Sequence, residues 1–311
     1  MHKTVIIRKA TALLWLFALT FVLFTACAAG PSAGQKAAET AVAEPAAAPA
    51  PADKNRLDLK YDPKHLIFLL IGQSNMEGLP GPDRAEDVAV DPRIHVLAYN
   101  NSQAKRRQYN KWYPAKPPLH SDYLGIGPGD YFGKTLIAML PEGYTIGLVP
   151  CGIAGVDIDF FRKNVVSKRR NEFFIPPDNQ ASGAYEWVLE RARLAAETGT
   201  IAGILFHQGE SDSGQRVWLD KVSEMVADLR TDLGIPDLPF LAGELYYKGA
   251  CAGHNSLVRK LSGLISNCHV ISAKGLNGVD QFHFDLEGQR ELGKRYAETM
   301  YGLLNLDTEN E

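Results

Sequence analysis

Cysteine is scarce in this chain, with four among 311 residues. No two stand in a C-x-x-C spacing, so a zinc site built from cysteines is not indicated. An excess of one charge is missing as well. The chain has 33 Lys and Arg against 36 Asp and Glu, a formal net charge of −3. Lys105-Arg106-Arg107 and Lys168-Arg169-Arg170 are short runs that read as solvated loop charge. Nothing here argues for nucleic-acid binding. The apolar stretch from Leu13 to Phe24 is shorter than the roughly 20 residues that span a bilayer. The chain shows no internal repeat.

What that stretch has is context. Lys3, Arg8 and Lys9 precede it and Thr25-Ala26-Cys27 follow, the order of a secretory signal. A Cys directly after small residues resembles the lipobox of bacterial lipoproteins, with Phe24 where Leu is more usual. That resemblance implies lipidation of Cys27 and an exported lipoprotein of the cell envelope, facing the periplasm or the surface. The alternative is a plain signal peptide cleaved nearby. From Ala28 to about Asp53 the chain is mostly Ala, Pro, Gly and Glu. It lacks the apolar residues that offset the entropy of ordering, so it reads as a tether. The expected organisation is a signal peptide at 1–26, a tether at 27–55, one α/β domain at 56–306 and a tail at 307–311. With Cys27 assigned to lipid, Cys151, Cys251 and Cys268 remain. Export permits a disulfide. Cys251 with Cys268 is the local candidate, leaving Cys151 a buried thiol, and the pairing stays open.

Within the domain, His65–Ile71 is an unbroken apolar run ending at Gly72. Strands buried on both faces of a parallel sheet read this way. Similar runs occur at Ile94–Tyr99, Thr145–Val149, Ile201–Phe206, Pro239–Ala242 and His269–Ser272. Helical spacing appears at Tyr131–Leu140, Tyr185–Thr198, Val217–Leu233 and from Leu286 onward, where Asp285 suits an N-cap. Alternating strands and helices imply a parallel sheet covered on both sides. Ligands in such folds bind at the C-terminal ends of the strands, and that is where the polar clusters fall. Gln73-Ser74-Asn75, Cys151–Gly155 and His207–Asp212 each follow a strand, and Asp280–His283 lies past the last one. Asn100–His120 and Phe161–Asn179 are long, polar and aromatic, and are expected to roof the site.

Ser74 is the candidate nucleophile, and a hydroxyl needs a base to take its proton. Its setting is not the G-x-S-x-G elbow, because Met76 replaces the second glycine and Ser74 follows the first strand. A helix N-cap is the structural alternative. Among eight histidines, His283 stands out because Asp280 lies three residues before it. On a turn, that spacing brings the carboxylate to Nδ1 and leaves Nε2 for Ser74. His65, His95 and His269 sit at strands and read as structural, while His120 and His254 are undecided. For the oxyanion, the expected donors are the Ser74 N–H, the Gly155 N–H with Gly152 in reserve, and the Gln208 side chain. Gln208 has an alternative as a buried amide holding loops together. His207 and Glu210 form an H-x-x-E pair, but no third ligand is evident and hydrogen-bonding roles are favoured over a metal. Gln73, Asn75 and Glu210 are expected to support the site.

Four blocks in order carry a family resemblance: Ile71-Gly72-Gln73-Ser74-Asn75-Met76-Glu77-Gly78, Gly147–Cys151 with Gly155, His207-Gln208-Gly209-Glu210-Ser211-Asp212 and Asp280-Gln281-Phe282-His283-Phe284-Asp285. From about His65 to Tyr301 the chain resembles the sialate O-acetylesterase-like carbohydrate esterases, including carbohydrate esterase family six, of the SGNH hydrolase superfamily. The resemblance implies a flavodoxin-like three-layer α/β/α sandwich with a central parallel sheet, and no cofactor. It implies Ser74 as nucleophile, His283 as base and then acid, and Asp280 as orienter, with Ser74, Gly155 and Gln208 as the oxyanion hole. The family often has two adjacent glycines in the second block. Ala154 replaces the first, so the glycine donor stays open.

The expected activity is removal of O-acetyl groups from a polysaccharide or sialic acid through an acetyl-enzyme. The expected partners are an acetylated glycan and a membrane reached through the lipid anchor. Two alternatives stand beside it, the first from another class. One is a non-catalytic glycan-binding surface lipoprotein on an esterase scaffold. The other is a short-chain lipid esterase or thioesterase of the same fold.

Overall fold

The computed structural model describes residues 55–165, 183–304 and 306. The expected signal peptide, Cys27, the tether up to residue 54, the tail at 307–311 and much of Phe161–Asn179 lie outside the described residues. Among the described residues, no helix is long and apolar enough to cross a membrane.

The first strand, β1 (His65–Gly72), is buried along its whole length. Its side chains alternate between two cores. Ile67, Leu69 and Ile71 enter one, and Leu66, Phe68 and Leu70 enter the other. Burial on both faces explains why the run is apolar without interruption. Each fully buried side chain of this kind contributes about 1.5–3 kcal/mol. A charge at either parity would therefore cost one of the two cores.

Six more strands complete the sheet: β2 (Ile94–Leu97), β3 (Trp112–Pro114), β4 (Thr145–Gly152), β5 (Thr200–His207), β6 (Phe240–Gly243) and β7 (Cys268–Ile271). Their order is β3-β2-β4-β1-β5-β6-β7. Every pairing is parallel except β2 with β3. The helices are α1 (Ser74–Glu77), α2 (Ala85–Val88), α3 (Pro128–Met139), α4 (Tyr185–Ala196), α5 (Trp218–Leu233), α6 (Asn255–Val258), α7 (Leu261–Leu264) and α8 (Leu286–Tyr301). One sheet face packs on α4 and α5 through Val188, Ala192, Val222 and Met225. The other packs on α3 and α8 through Phe132, Leu136, Leu292 and Tyr296. The result is a three-layer α/β/α sandwich with a largely parallel sheet. The strands added before and after β5 fall on opposite sides of β1, so the chain reverses its direction of growth there. Such a switch point opens a crevice at the strand ends.

Three expectations need correction. Asn100–His120 does not roof the cleft. It supplies the short antiparallel edge strand β3, which pairs with β2 and is bridged by Leu57 at Trp112, after a turn closed by a bridge between Ser102 and Arg107. Arg107 is buried rather than solvated, with its guanidinium donating to the carbonyls of Pro114, Lys116 and Pro118. Nor do Cys251 and Cys268 pair. Cys151, Cys251 and Cys268 are all free and buried. Cys268 packs into the core under α5, while the Cys251 sulfur lies 3.6 Å from the Glu210 carbonyl. Burial pushes the Cys151 thiol up to about 11 and Cys268 up to about 12.

Candidate active site

β1 delivers Ser74 to the crevice through a backbone crossing that only glycine permits. Gly72 has φ +154°, and a Cβ there would lie 2.1 Å from the His207 carbonyl oxygen. β1 and β5 therefore close tightly, and the Gln73 N–H donates to that same carbonyl at 3.0 Å. The N-cap of α1 is Gln73, which makes no side-chain capping bond. Ser74 is thus not a cap. Its Oγ lies 2.9 Å from His283 Nε2.

His283 sits on a tight turn. The Val279 N–H donates to the His283 carbonyl at 3.0 Å, and Gly278 bridges Phe284. Asp280 organises the turn from within, because Oδ1 accepts the N–H groups of Phe282 at 2.7 Å and His283 at 2.8 Å. Oδ2 is then left for His283 Nδ1 at 2.8 Å. Burial acts to raise the Asp280 carboxyl, but hydrogen bonds from His283 and the two amides outweigh it and hold the group below the usual range. Asp285 caps α8 directly after the turn by accepting from the Gly288 N–H at 2.7 Å.

Asn75 joins the serine turn to the histidine turn. Its Nδ2 donates to the Phe282 carbonyl at 3.0 Å and to Glu210 Oε1 at 2.6 Å. Its Oδ1 accepts the Phe284 N–H at 3.1 Å. Gln73 Oε1 accepts the N–H groups of Gly209 at 3.3 Å and Ser211 at 3.4 Å, tying the same turn to the end of β5. The Glu210 carboxyl lines the cleft, and burial pushes it up to about 7.

A cavity of about 490 Å³ opens over Ser74 and His283, walled by Leu79, Ala154, Gly155 and Phe282. The loop after β4 is tied down one amide at a time. The Gly152 N–H donates to His120 Nε2 at 3.1 Å and the Ile153 N–H to the Gly72 carbonyl at 2.9 Å. The Ala154 N–H donates to the Glu77 carboxyl. Gly155, at φ +72°, follows with an N–H that donates to nothing among the described residues, as does the Ser74 N–H. Ser74 and Gly155 thus bring two free amides to the lining of one cavity. Gly152 is committed to His120, so of the two glycines only Gly155 retains a free donor.

The model of the carbohydrate esterase, sialic acid-specific acetylesterase family matches residues 64–302. The chain belongs to this family. A probable carbohydrate esterase from Arabidopsis thaliana is 30% identical over 254 residues, covering 76% of this chain and 90% of that protein. The crystal structure of that plant protein superposes with a TM-score of 0.61 at 27% identity, over 76% of this chain and 98% of that one. NanS has the same fold, with a TM-score of 0.61 at 18% identity over 78% of this chain and 98% of that one. So does a carbohydrate acetylesterase from Xanthomonas citri, with a TM-score of 0.56 at 19% identity over 77% of this chain and 57% of that one.

In this esterase the Gln208 side chain is not a free donor. Its Nε2 donates to Asp212 Oδ2 at 2.5 Å and its Oε1 accepts Trp218 Nε1 at 2.6 Å, all buried. Asp212 in turn accepts the Ile158 N–H at 2.9 Å. Gln208 therefore binds the end of β5 to α5 and to the loop after β4, and does not reach the cleft. Burial holds His207 neutral, down at about 4, with Nε2 on the Glu244 carbonyl at 3.1 Å and Nδ1 3.9 Å from Glu210. His254 accepts the Gly214 N–H at 3.2 Å. His65 meets Thr145, His95 the Pro92 carbonyl and His269 Asn267, each away from the cleft. Among the described residues, no cluster of metal-ligand type forms. Sequence reasoning gave Glu77, inside the first block, no role and left His120 undecided; no sequence signal ties His120 to the second block.

Proposed function

We propose that this esterase removes O-acetyl groups from carbohydrate through an acetyl-enzyme on Ser74. The observation that carries the reading is the unbroken line Ser74 Oγ to His283 Nε2 at 2.9 Å and His283 Nδ1 to Asp280 Oδ2 at 2.8 Å. Ser74 attacks the acetyl carbonyl while His283 accepts its proton and Asp280 holds the ring and balances the imidazolium. The Ser74 and Gly155 N–H groups receive the tetrahedral oxyanion. His283 then returns the proton to the departing sugar oxygen. Water repeats the sequence on the acetyl-enzyme and releases acetate.

Leu79 and Phe282 rim the cleft, 40% and 44% exposed. Apolar surfaces of this kind suit the C–H face of a sugar ring. A lone glycan-binding protein has no need of an imidazole aligned on a hydroxyl, which disfavours the non-catalytic alternative. In the proposed setting, Cys27 carries lipid and an Ala/Pro-rich tether places the esterase outside the cell membrane. Cys27→Ser should then move the protein from the membrane to the soluble fraction.

The test of substrate class is acetate release across a panel of acetylated glycans, run beside nitrophenyl esters of increasing acyl length. The reading expects turnover of at least one acetylated glycan and a preference for acetate. A strong preference for long acyl chains would displace it in favour of a lipid esterase or thioesterase.

A further inference from the structure

Glu77 is an acid in an unusual place. It ends α1, three residues after Ser74, and is 4% exposed. Its carboxyl accepts the Ala154 N–H, while Oε2 is buried with no partner. On the other side of the same loop, His120 is 3% exposed and accepts the Gly152 N–H. Gly152 is sandwiched between the two. A Cβ there would lie 2.9 Å from His120 Nε2 and 3.0 Å from Glu77 Cγ. Tyr99 closes the set by donating its hydroxyl to the Gly152 carbonyl at 3.1 Å.

We propose that Glu77 is a positioning residue for ester hydrolysis. With His120 it clamps the loop 152–155, so that the Gly155 N–H is held at the oxyanion site while the hydroxyl of Ser74 is fixed by the same short helix. The inference rests on the reading of Gly155 as an oxyanion donor. Its logic is one of elimination along the loop. Each amide from Gly152 to Ala154 is bound by a specific acceptor, and the first free one is Gly155. Oxyanion donors act through pre-organisation, so slack in the loop should weaken the transition state more than the ground state.

The protonation states agree with this geometry. Burial pushes the Glu77 carboxyl up to about 8, so it is a neutral acid at pH 7. Burial drives His120 down to about 3, leaving a neutral ring able to accept from Gly152. The groups facing Glu77 are Tyr99 after β2 and, across Gly152, His120 before α3, with Cys151 on β4 beside Tyr99 and Arg191 of α4 acting on Tyr99, His120 and Cys151. None is an ion-pair partner for a Glu77 carboxylate. Ionisation of Glu77 would place negative charge beside a loop that must stabilise an oxyanion. Glu77 should therefore impose no loss of activity below about 8 and a fall as pH rises through it.

The test compares wild type, Glu77→Gln and Glu77→Leu on nitrophenyl acetate. Glu77→Gln keeps an acceptor for Ala154 and carries no titratable proton. It should hold kcat at pH 7 and lose the decline near pH 8 that wild type shows. Glu77→Leu removes the acceptor and should lower kcat about tenfold or more with KM within about twofold. A folded Glu77→Leu with wild-type kcat, or the same alkaline decline in Glu77→Gln, overturns the proposal. Should Glu77→Leu not fold, the Glu77→Gln profile decides. Ser74→Ala separates the two levels. If it keeps turnover, the hydrolytic reading fails. If it is inactive while both Glu77 variants behave as wild type, only the clamp fails.

Discussion

Asn75 grips the backbone on either side of His283. Its side chain donates to the Phe282 carbonyl at 3.0 Å and accepts the Phe284 N–H at 3.1 Å. The residue beside the proposed nucleophile thereby fixes the proposed base, across 208 positions of sequence, the difference between 75 and 283. Asn75→Ala removes these bonds and the one to Glu210. It leaves buried groups unpaired at about 1–3 kcal/mol for each. We expect a lower melting temperature and a kcat reduced by about ten- to a hundredfold. Thermal unfolding and ester kinetics on the same sample check both.

Asp280 has two tasks, holding the turn through Oδ1 and the imidazole through Oδ2. Asp280→Asn can keep the first and loses the second, because its amide no longer favours the tautomer with the proton on Nδ1. If the proposed triad operates, a kcat lower by about 10³–10⁴ is expected by analogy with Ser-His-Asp enzymes. Circular dichroism should stay unchanged. Near wild-type kcat would show that Asp280 does not orient the base.

Glu210 gives a pH signature in stability. Its folded-state carboxyl is raised from 4.5 to about 7 by burial. The folded protein therefore holds a proton that the unfolded chain has released. Wild type loses stability as pH rises from about 4.5 to about 7, and the loss is complete above that. Glu210→Gln keeps an oxygen for Asn75 and has no charge to bury. Its melting temperature relative to wild type should climb between pH 5 and pH 7 and level off beyond, as followed by calorimetry at several pH values. A constant difference across that range would contradict the assignment.

The buried cysteines predict inert thiols. Cys151, Cys251 and Cys268 are free and buried, and burial raises the thiol of each. A domain beginning after Cys27 should react slowly with a thiol reagent when native and show all three thiols when unfolded under non-reducing conditions. A single reactive thiol in the unfolded, unreduced protein would restore the disulfide.

The strands were legible because burial on two faces writes itself as an unbroken apolar run, and β1, β4 and β5 follow those runs closely. β3 was not, since Trp112-Tyr113-Pro114 is three residues of edge pairing inside a polar stretch. The turn at Asp280–His283 was legible because its key contact is local. Gln208 misled because an amide beside a cleft has the same letters whether it faces the substrate or the core. Here Trp218 and Asp212, reached only after folding, claim both of its ends. Glu77 was illegible for the same reason, because nothing in the sequence marks a glutamate as buried. Gln208→Ala should accordingly cost stability, about 1–3 kcal/mol for the stranded Trp218 donor, with kcat changed by no more than a few fold.

The most direct measurement is acetylation of Ser74 during turnover. Wild type is mixed with an activated acetate ester, quenched in acid within milliseconds, digested and weighed by mass spectrometry. The account predicts a transient acetyl group on the peptide carrying Ser74, and neither adduct nor acetate release in Ser74→Ala. Steady acetate release by Ser74→Ala, or an adduct on another residue, would contradict it.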